Sequence, residues 1–260
     1  MKKDQLFAAP AEAWEMMFDF PPPRFLRPGA DVRAASAAVL VAVPFWGFVC
    51  GALPALAFAA TGTFLPRFGN AVLFAAAMTV LLTAKDSGRG FRLLPELCRA
   101  MFSGAEPEAV LPRLAPRRMA EISDLGSTLC AFLTLGFWLS AFTYLGSVGA
   151  TLWAVPVMLA DMTTQAHLLS LRDLRSGAPF LQVSREERNR LWIPAVFLML
   201  FPALAYPLAV LVTCGVCGAF ALAARQFAEE RCGGATAEMI TLAGVVAELA
   251  ALLCGVLLIR

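Results

Sequence analysis

The sequence predicts an all-α integral membrane protein, a polytopic bundle of about seven transmembrane helices that forms a single domain over residues 1–260. Hydrophobic residues make up 59% of the chain and charged residues only 15%, whereas ordinary soluble domains carry about 25% charged residues. Apolar runs of membrane-spanning length recur, and the charged residues are confined to a few segments between them. A soluble domain of this size needs more charge to cover its surface, so this composition favours a lipid environment.

Six apolar runs define the predicted spans, because a helix needs about 20 apolar residues to cross the hydrocarbon core. The runs are 34–60, 70–84, 126–145, 148–169, 191–224 and 237–259. The run 70–84 is short, and we expect its helix to begin a few residues earlier. The run 191–224 would be about 51 Å long as one helix, and Pro202 and Pro207 interrupt it. It therefore predicts two short spans joined by a turn near 205–207.

The basic residues predict the orientation of this bundle. Of the 21 Lys and Arg residues, 19 fall in the segments 1–33, 85–125, 171–190 and 225–236. The positive-inside rule places these segments and the amino terminus in the cytoplasm, and the carboxyl terminus outside. We expect an amphipathic segment at 1–33 and large cytoplasmic loops at 85–125 and 171–190. The protein is then a multi-pass protein of the cell membrane with its polar chemistry on the cytoplasmic face, and no nucleic-acid-binding patch is evident.

Two acidic residues interrupt the apolar runs. Asp161 lies within 148–169, and Glu248 lies in the middle of 237–259. A carboxylate at the centre of a membrane helix costs about 2.5–3.5 kcal/mol on insertion scales, which makes Asp161 a candidate functional residue. The alternative is a polar side chain that hydrogen-bonds a neighbouring helix.

A second candidate site precedes the last span. Gly233, Gly234 and Thr236 lead into this helix, and Glu238 falls in its first turn. Exposed backbone N–H groups and a hydroxyl at a helix start can hold a phosphate. The alternative is an ordinary helix start, with Thr236 as the N-cap and Glu238 favoured by the helix dipole.

Several motifs, taken in order, resemble those of the cobalamin synthase family (adenosylcobinamide-GDP ribazoletransferase). The segment 14–23 (WEMMFDFPPP) is similar to the amphipathic opening of that family, and 43–47 (VPFWG) is similar to its Phe-Pro-x-x-Gly element. The segment 118–126 resembles its Arg-x-x-Glu-Ile motif, and 172–180 lies where the family has arginines and a glycine-rich turn. The segment 233–238 (GGATAE) resembles Gly-Gly-x-Thr-Gly-Asp. The likeness covers nearly the whole chain.

The chain departs from this family at the strongest signature, an acid-rich run with a histidine after the second span. The matching stretch here is 83–96, in which the histidine is absent and only Asp86 and Glu96 remain as acids. The Thr-Gly-Asp near the end is Thr-Ala-Glu in this chain. The chain is therefore either a divergent enzyme or a paralogue that has lost catalysis.

The resemblance implies a Mg²⁺-dependent phosphotransfer that joins adenosylcobinamide-GDP to α-ribazole, or to its 5′-phosphate, and releases GMP. The partners it implies are these two substrates, the lipid bilayer, and either a second copy of the chain or other cobalamin-assembly enzymes. It assigns residues of this sequence to three roles: catalysis by Asp161 and Glu238; phosphate binding by Arg172, Arg175, Gly233, Gly234 and Thr236; and Mg²⁺ binding by Asp86, Glu121 and Asp124.

Two other functions remain open on the sequence alone. A catalytically impaired paralogue would act as a corrinoid-binding or scaffolding membrane subunit, which the altered acid-rich signature favours. A small transporter would account for Asp161, Glu248 and the proline-interrupted spans.

Overall fold

The computed structural model describes residues 3–23, 34–102, 104, 106–114 and 125–260. Within these ranges the regular structure is helical, and it contains no β-strand beyond two isolated bridges. The all-α prediction is therefore confirmed. The helices are α1 (Lys3–Met17), α2 (Ser36–Thr61), α3 (Arg67–Lys85), α4 (Arg89–Phe102), α5 (Pro107–Val110), α6 (Leu125–Ser147), α7 (Ala154–Leu168), α8 (Arg185–Asn189), α9 (Trp192–Ala203), α10 (Pro207–Phe227) and α11 (Ala237–Leu258).

Five helices in the described part of the chain are long and apolar enough to cross a membrane. They are α2, α3, α6, α10 and α11. The predicted span at 148–169 is the shorter helix α7, and the run 191–224 forms α9 and α10, which are separated at 204–206 as expected. The fold is thus a helical membrane bundle in which α7 is shorter than the sequence predicts, while α9 is a short helix as expected.

Helix α7 is the central helix of the bundle. Every one of its 15 residues is buried, and α2, α9, α10 and α11 pack around it. Because its neighbours separate it from the lipid, α7 can carry polar side chains inside a membrane protein at a lower cost than a peripheral helix.

Helix α2 crosses α7 at very close range through two glycines one turn apart. A Cβ atom on Gly51 would lie 2.6 Å from Cα of Val155, and one on Gly47 would lie 3.0 Å from the carbonyl oxygen of Met158. This G-x-x-x-G spacing lets the two backbones approach, as small residues do in membrane helix pairs.

The longer polar connections meet at one end of the bundle, which we call the polar end. Helix α7 ends there and α11 begins there, and residues 172–174 contact residue 235 through backbone hydrogen bonds. Helix α2 runs antiparallel to α7, so its first residue also lies at this end. The short connections 62–66, 148–153 and 204–206 lie at the opposite end. This arrangement agrees with the separation of polar and apolar connections that the sequence predicts.

Helix α1 packs on the polar-end half of α2. The indole N–H of Trp46 donates to the carbonyl oxygen of Pro10 at 2.8 Å, and the rings of Trp14 and Trp46 lie 4.7 Å apart, edge to face. The backbone N–H of Ala34 donates to the Glu12 carboxylate at 2.8 Å. These contacts fix the first described segment against the bundle.

Helices α3 and α4 form one discontinuous helix. Helix α3 runs toward the polar end and stops at Lys85, and α4 starts at Arg89 and continues beside α11 toward the same end. The backbone break contains two residues with positive φ, Ser87 at 52° and Gly88 at 69°. Glycine reaches this region without a Cβ penalty, whereas serine does so at a cost. The break places the ends of both half-helices inside the bundle.

Candidate functional site

A buried ion cluster lies where α3, α7 and α11 meet. The Lys85 ammonium group forms an ion pair with Oδ2 of Asp161 and a second one, at 3.0 Å, with Oε2 of Glu248. The three side chains are 2%, 0% and 0% exposed. We call Lys85, Asp161 and Glu248 the buried charge centre. Burying these charges is tolerable only because the ammonium attracts both carboxylates at short range.

The Asp161 side chain is held in place from both sides. Its Oδ1 accepts a hydrogen bond of 2.7 Å from the side-chain amide of Gln165, one turn further along α7. On the α11 side it packs against Gly244, where a Cβ atom would lie 2.2 Å from Oδ1. The glycine therefore allows α11 to approach Asp161, and this contact lies beyond what the sequence patterns predict.

Asp86, one of the three predicted metal ligands, is also buried at the helix break. Its Oδ2 accepts a hydrogen bond of 2.8 Å from the backbone N–H of Gly90, so the carboxylate caps the start of α4. It lies within electrostatic range of the Lys85 ammonium. The other two predicted ligands, Glu121 and Asp124, lie outside the described residues.

The amino-terminal segment also reaches the helix break. The backbone N–H of Asp19 donates to the carbonyl oxygen of Lys85 at 2.8 Å, and the Asp19 carboxylate forms an ion pair with Arg89. The first contact satisfies a carbonyl that the end of α3 leaves free, and the second places opposite charges at the start of α4.

A second group of functional candidates is assembled at the polar end. The chain around residue 173 pairs with the chain at residue 235 in a short parallel bridge. In this bridge the N–H of Ala235 donates to the carbonyl oxygen of Arg172 at 2.9 Å. The N–H of Leu174 donates to the carbonyl oxygen of Ala235 at 3.0 Å. We call the set of predicted residues at this bridge the polar-end site: Arg172, Arg175, Gly233, Gly234, Thr236 and Glu238.

Both glycines of the polar-end site are required by the backbone. Gly233 has φ of 74° and Gly234 has φ of 155°, a region that side-chain-bearing residues rarely adopt. A Cβ atom on Gly234 would also lie 2.4 Å from the carbonyl oxygen of Arg172. Thr236 follows as the N-cap of α11, with its hydroxyl accepting from the N–H of Met239 at 3.3 Å. The cap interpretation of Thr236 is therefore correct.

The two charged side chains at the start of α11 form an ion pair across the bridge. Arg175 Nη2 lies 2.9 Å from Oε2 of Glu238. The Arg175 side chain is 59% exposed, whereas that of Glu238 is only 11% exposed. Glu238 is therefore a fixed, nearly buried carboxylate, and Arg175 is a cation that solvent and ligands can reach.

The loop that carries the arginines has internal order. The carboxylate of Asp173 accepts hydrogen bonds from the backbone N–H groups of Arg175 at 3.0 Å and Ser176 at 3.2 Å. The Arg175 N–H and then the Ser176 hydroxyl hold the pKa of Asp173 below its ordinary value, because they stabilise the ionised form. The Arg172 Nε donates to the carbonyl oxygen of Gly177 at 3.1 Å. These hydrogen bonds hold the backbone of Arg175 and the guanidinium group of Arg172 in place.

The predicted site residues thus divide between two locations. Ten residues separate Glu238 from Glu248 along α11, about 15 Å of helix axis. Asp161 lies at the same depth in the bundle as Glu248, since both contact Lys85. The structure therefore does not bring together Asp161 and Glu238, the two predicted catalytic residues. The reason is that α7 presents Asp161 to α3 and α11 at mid-depth, while Glu238 remains at the helix start.

Lys85 is the functional candidate that the sequence did not single out. It follows the apolar run 70–84 and reads as the first residue of a polar loop. The sequence carries one signal for it: Lys85 directly adjoins an apolar run in a chain whose other apolar runs contain two acids. A lysine adjoining an apolar run is a candidate partner for intramembrane carboxylates.

Of the three predicted Mg²⁺ ligands only Asp86 lies among the described residues, so the Mg²⁺ site that the resemblance implies stays a prediction. Among the described residues, no group of three or more His, Cys, Asp or Glu side chains could hold a metal ion. Asp86 accepts a hydrogen bond from the Gly90 N–H and lies within electrostatic range of the Lys85 cation. Comparisons with protein-family models, curated proteins and solved structures found no match to this chain.

Proposed function

We propose that this protein acts in cobalamin assembly as a membrane transferase that joins adenosylcobinamide-GDP to α-ribazole or its 5′-phosphate. The observation that carries the proposal is the bridge between residues 172–174 and 235. It joins the two segments, 172–180 and 233–238, that resemble the cobalamin synthase family although about 60 residues separate them. We place the site on the cytoplasmic face of the cell membrane, in a chain that crosses it about seven times.

The chemistry of the polar-end site suits a diphosphate. Arg175 offers an exposed guanidinium, and the amino-terminal end of α11 adds a positive dipole directed at the same place. A phosphate that engages Arg175 would compete with Glu238 for this guanidinium. Ligand binding would then release the Glu238 carboxylate to accept a hydrogen bond from the attacking hydroxyl.

The proposed transfer is a displacement at phosphorus. The ribose hydroxyl oxygen forms a bond to the cobinamide-side phosphorus, and the bond from that phosphorus to the bridging oxygen breaks. GMP leaves with the electron pair, and the hydroxyl proton passes to Glu238. Arg175 and Arg172 stabilise the charge that develops on the phosphoryl oxygens.

An apolar cavity beside the polar-end site offers room for an aromatic base. It measures about 420 Å³, and Ala235 belongs to its wall as well as to the bridge. Its other walls include Leu97, Phe220, Phe227 and Met239. We assign this cavity to the aromatic base of α-ribazole, because only apolar side chains line it.

The experiment is a turnover assay of the purified chain in lipid. Adenosylcobinamide-GDP and α-ribazole phosphate are supplied with Mg²⁺ or with EDTA, and cobalamin phosphate is followed by mass and corrin absorbance. We expect turnover that falls at least tenfold in Glu238→Gln and Arg175→Ala, and that is unchanged in Arg190→Ala, which alters an exposed arginine paired with Glu186. Absence of turnover, when a cobalamin synthase is active in the same lipid, would contradict the proposal.

One observation favours a second candidate, a non-catalytic subunit that binds the corrinoid nucleotide. The acid-rich signature of the family is replaced here by a segment whose lysine is ion-paired with two buried acids. For this candidate we expect adenosylcobinamide-GDP to bind with an affinity that depends on Arg175 and without release of GMP. Equilibrium dialysis of the nucleotide, run beside the turnover assay, separates the two candidates.

A further inference from the structure

The Lys85 ammonium group occupies the position of a cation between carboxylates. It contacts Oδ2 of Asp161 and lies 3.0 Å from Oε2 of Glu248, while Asp86 supplies a third carboxylate within electrostatic range. We propose that Lys85 is the resident cation of the buried charge centre, and that it fills the place a divalent metal ion would otherwise take between Asp161 and Glu248. The wild-type chain then needs no divalent ion at this centre.

The geometry matches that of a small cation. Protein oxygens lie about 2.0–2.1 Å from Mg²⁺ and about 2.3–2.6 Å from Ca²⁺. An ion at the Nζ position would therefore reach both the Asp161 and the Glu248 carboxylates after shifts of about 1 Å or less. Lys85 is anchored on α3, so this cation does not dissociate and needs no loading from solution.

Glu248 carries an independent sign of cation-binding capacity. The Glu248 side chain is fully buried, yet its Oε1 has no hydrogen-bond partner among the described residues. A buried carboxylate oxygen without a partner costs free energy, because it has lost its water without replacement. The lysine thus engages only part of the oxygen ligands that this centre offers.

Charge balance predicts what removal of the lysine does. With Lys85 in place, one ammonium is ion-paired with two carboxylates, those of Asp161 and Glu248, and Asp86 adds a third negative charge nearby. Without it, Asp161 and Glu248 face each other in a medium of low dielectric constant, where like charges repel strongly. A divalent cation in the vacated space would relieve this repulsion, so deletion of the Lys85 side chain should create a metal site.

This inference goes beyond the proposed function, because it concerns a different group of residues and does not require turnover. The test uses the full chain in lipid nanodiscs, with Mn²⁺ binding measured by electron paramagnetic resonance and thermal unfolding measured with and without Mg²⁺ or Ca²⁺. The variants are Lys85→Ala and the double variant Lys85→Ala with Glu248→Gln. Lys85→Met serves as a second single variant that leaves less empty space.

We expect the wild type to bind no Mn²⁺ at this centre and to keep the same Tm with and without divalent ions. Lys85→Ala should lose thermal stability, bind one equivalent of Mn²⁺ and regain most of the lost Tm in Mg²⁺ or Ca²⁺. The double variant should regain none of its lost Tm when Mg²⁺ or Ca²⁺ is added. Wild-type Mn²⁺ binding that Glu248→Gln abolishes would overturn the proposal, and this arm does not depend on the folding of any lysine variant. Folded Lys85→Ala that binds no divalent ion would overturn it as well, whereas Lys85→Met, whose side chain fills the vacated space, should lose thermal stability without gaining Mn²⁺ binding.

Discussion

Gly234 passes so close to Arg172 that a Cβ atom on residue 234 would lie 2.4 Å from the Arg172 carbonyl oxygen. This carbonyl accepts the hydrogen bond from the Ala235 N–H. The bond holds residues 172–178, which we call the arginine loop, against the start of α11. The backbone at residue 234 therefore sets the spacing of the whole polar-end site.

We predict that Gly234→Ala separates the arginine loop from α11. The new methyl group meets a backbone oxygen, which cannot rotate away, and the φ of 155° adds strain, so we expect a loss of about 1–3 kcal/mol in the free energy of unfolding. Thermal unfolding and limited proteolysis at 172–178 would measure it. Gly218→Ala is the matched control, because open space surrounds that helical position. Equal thermal stability and equal proteolysis of the two variants would contradict the prediction.

The crossing of α2 and α7 yields a second prediction. In Gly51→Ala the methyl group would lie 2.6 Å from Cα of Val155 and 2.7 Å from the carbonyl oxygen of Ala154. The two helices must move apart, and packing around central α7 is lost, so we expect about 1–3 kcal/mol of destabilisation. Thermal unfolding in detergent measures this loss, with the folded fraction that remains after heating determined by size-exclusion chromatography. Gly136→Ala in α6 has open space and should leave Tm unchanged.

The buried charge centre should respond asymmetrically to mutation. Lys85→Met leaves two buried carboxylates without a cation, and we expect it to cost about 3–5 kcal/mol in a solution without divalent ions. The triple variant Lys85→Met, Asp161→Asn, Glu248→Gln should recover part of this loss, because no uncompensated charge remains buried. Reversible unfolding in mixed micelles provides the comparison. A triple variant less stable than Lys85→Met would count against this account.

The ion pair at the start of α11 should affect binding more than stability. Arg175 is more than half exposed but Glu238 is nearly buried, so Arg175→Glu should lower the free energy of unfolding by about 1–3 kcal/mol and leave the chain folded. It should nevertheless abolish binding of adenosylcobinamide-GDP, since it places two carboxylates where a phosphate must bind. Equilibrium dialysis and thermal unfolding of the same sample separate the two effects. Arg190→Glu, at an exposed pair, should retain binding.

The sequence determined the class of the fold and the end of the bundle at which polar residues gather. Apolar runs must form helices in lipid because their backbone groups have no other hydrogen-bond partners. The break between α9 and α10 followed from Pro202 and Pro207, since proline lacks the N–H that continues a helix. At Gly233–Gly234–Thr236 one of the two sequence interpretations was a helix start with Thr236 as the N-cap, and the structure has this cap because capping is a local property of the backbone.

Only the tertiary structure decided which charges meet. Lys85, Asp161 and Glu248 are brought together across 163 residues of chain, and helical periodicity carries no information about partners at such separation. The close approach of α11 to Asp161 depends on Gly244, and that of α2 to α7 depends on Gly51. The sequence identified Asp161 and Glu248 as costly residues in a membrane, but the cation that pairs with them is set by how α3 ends between two other helices.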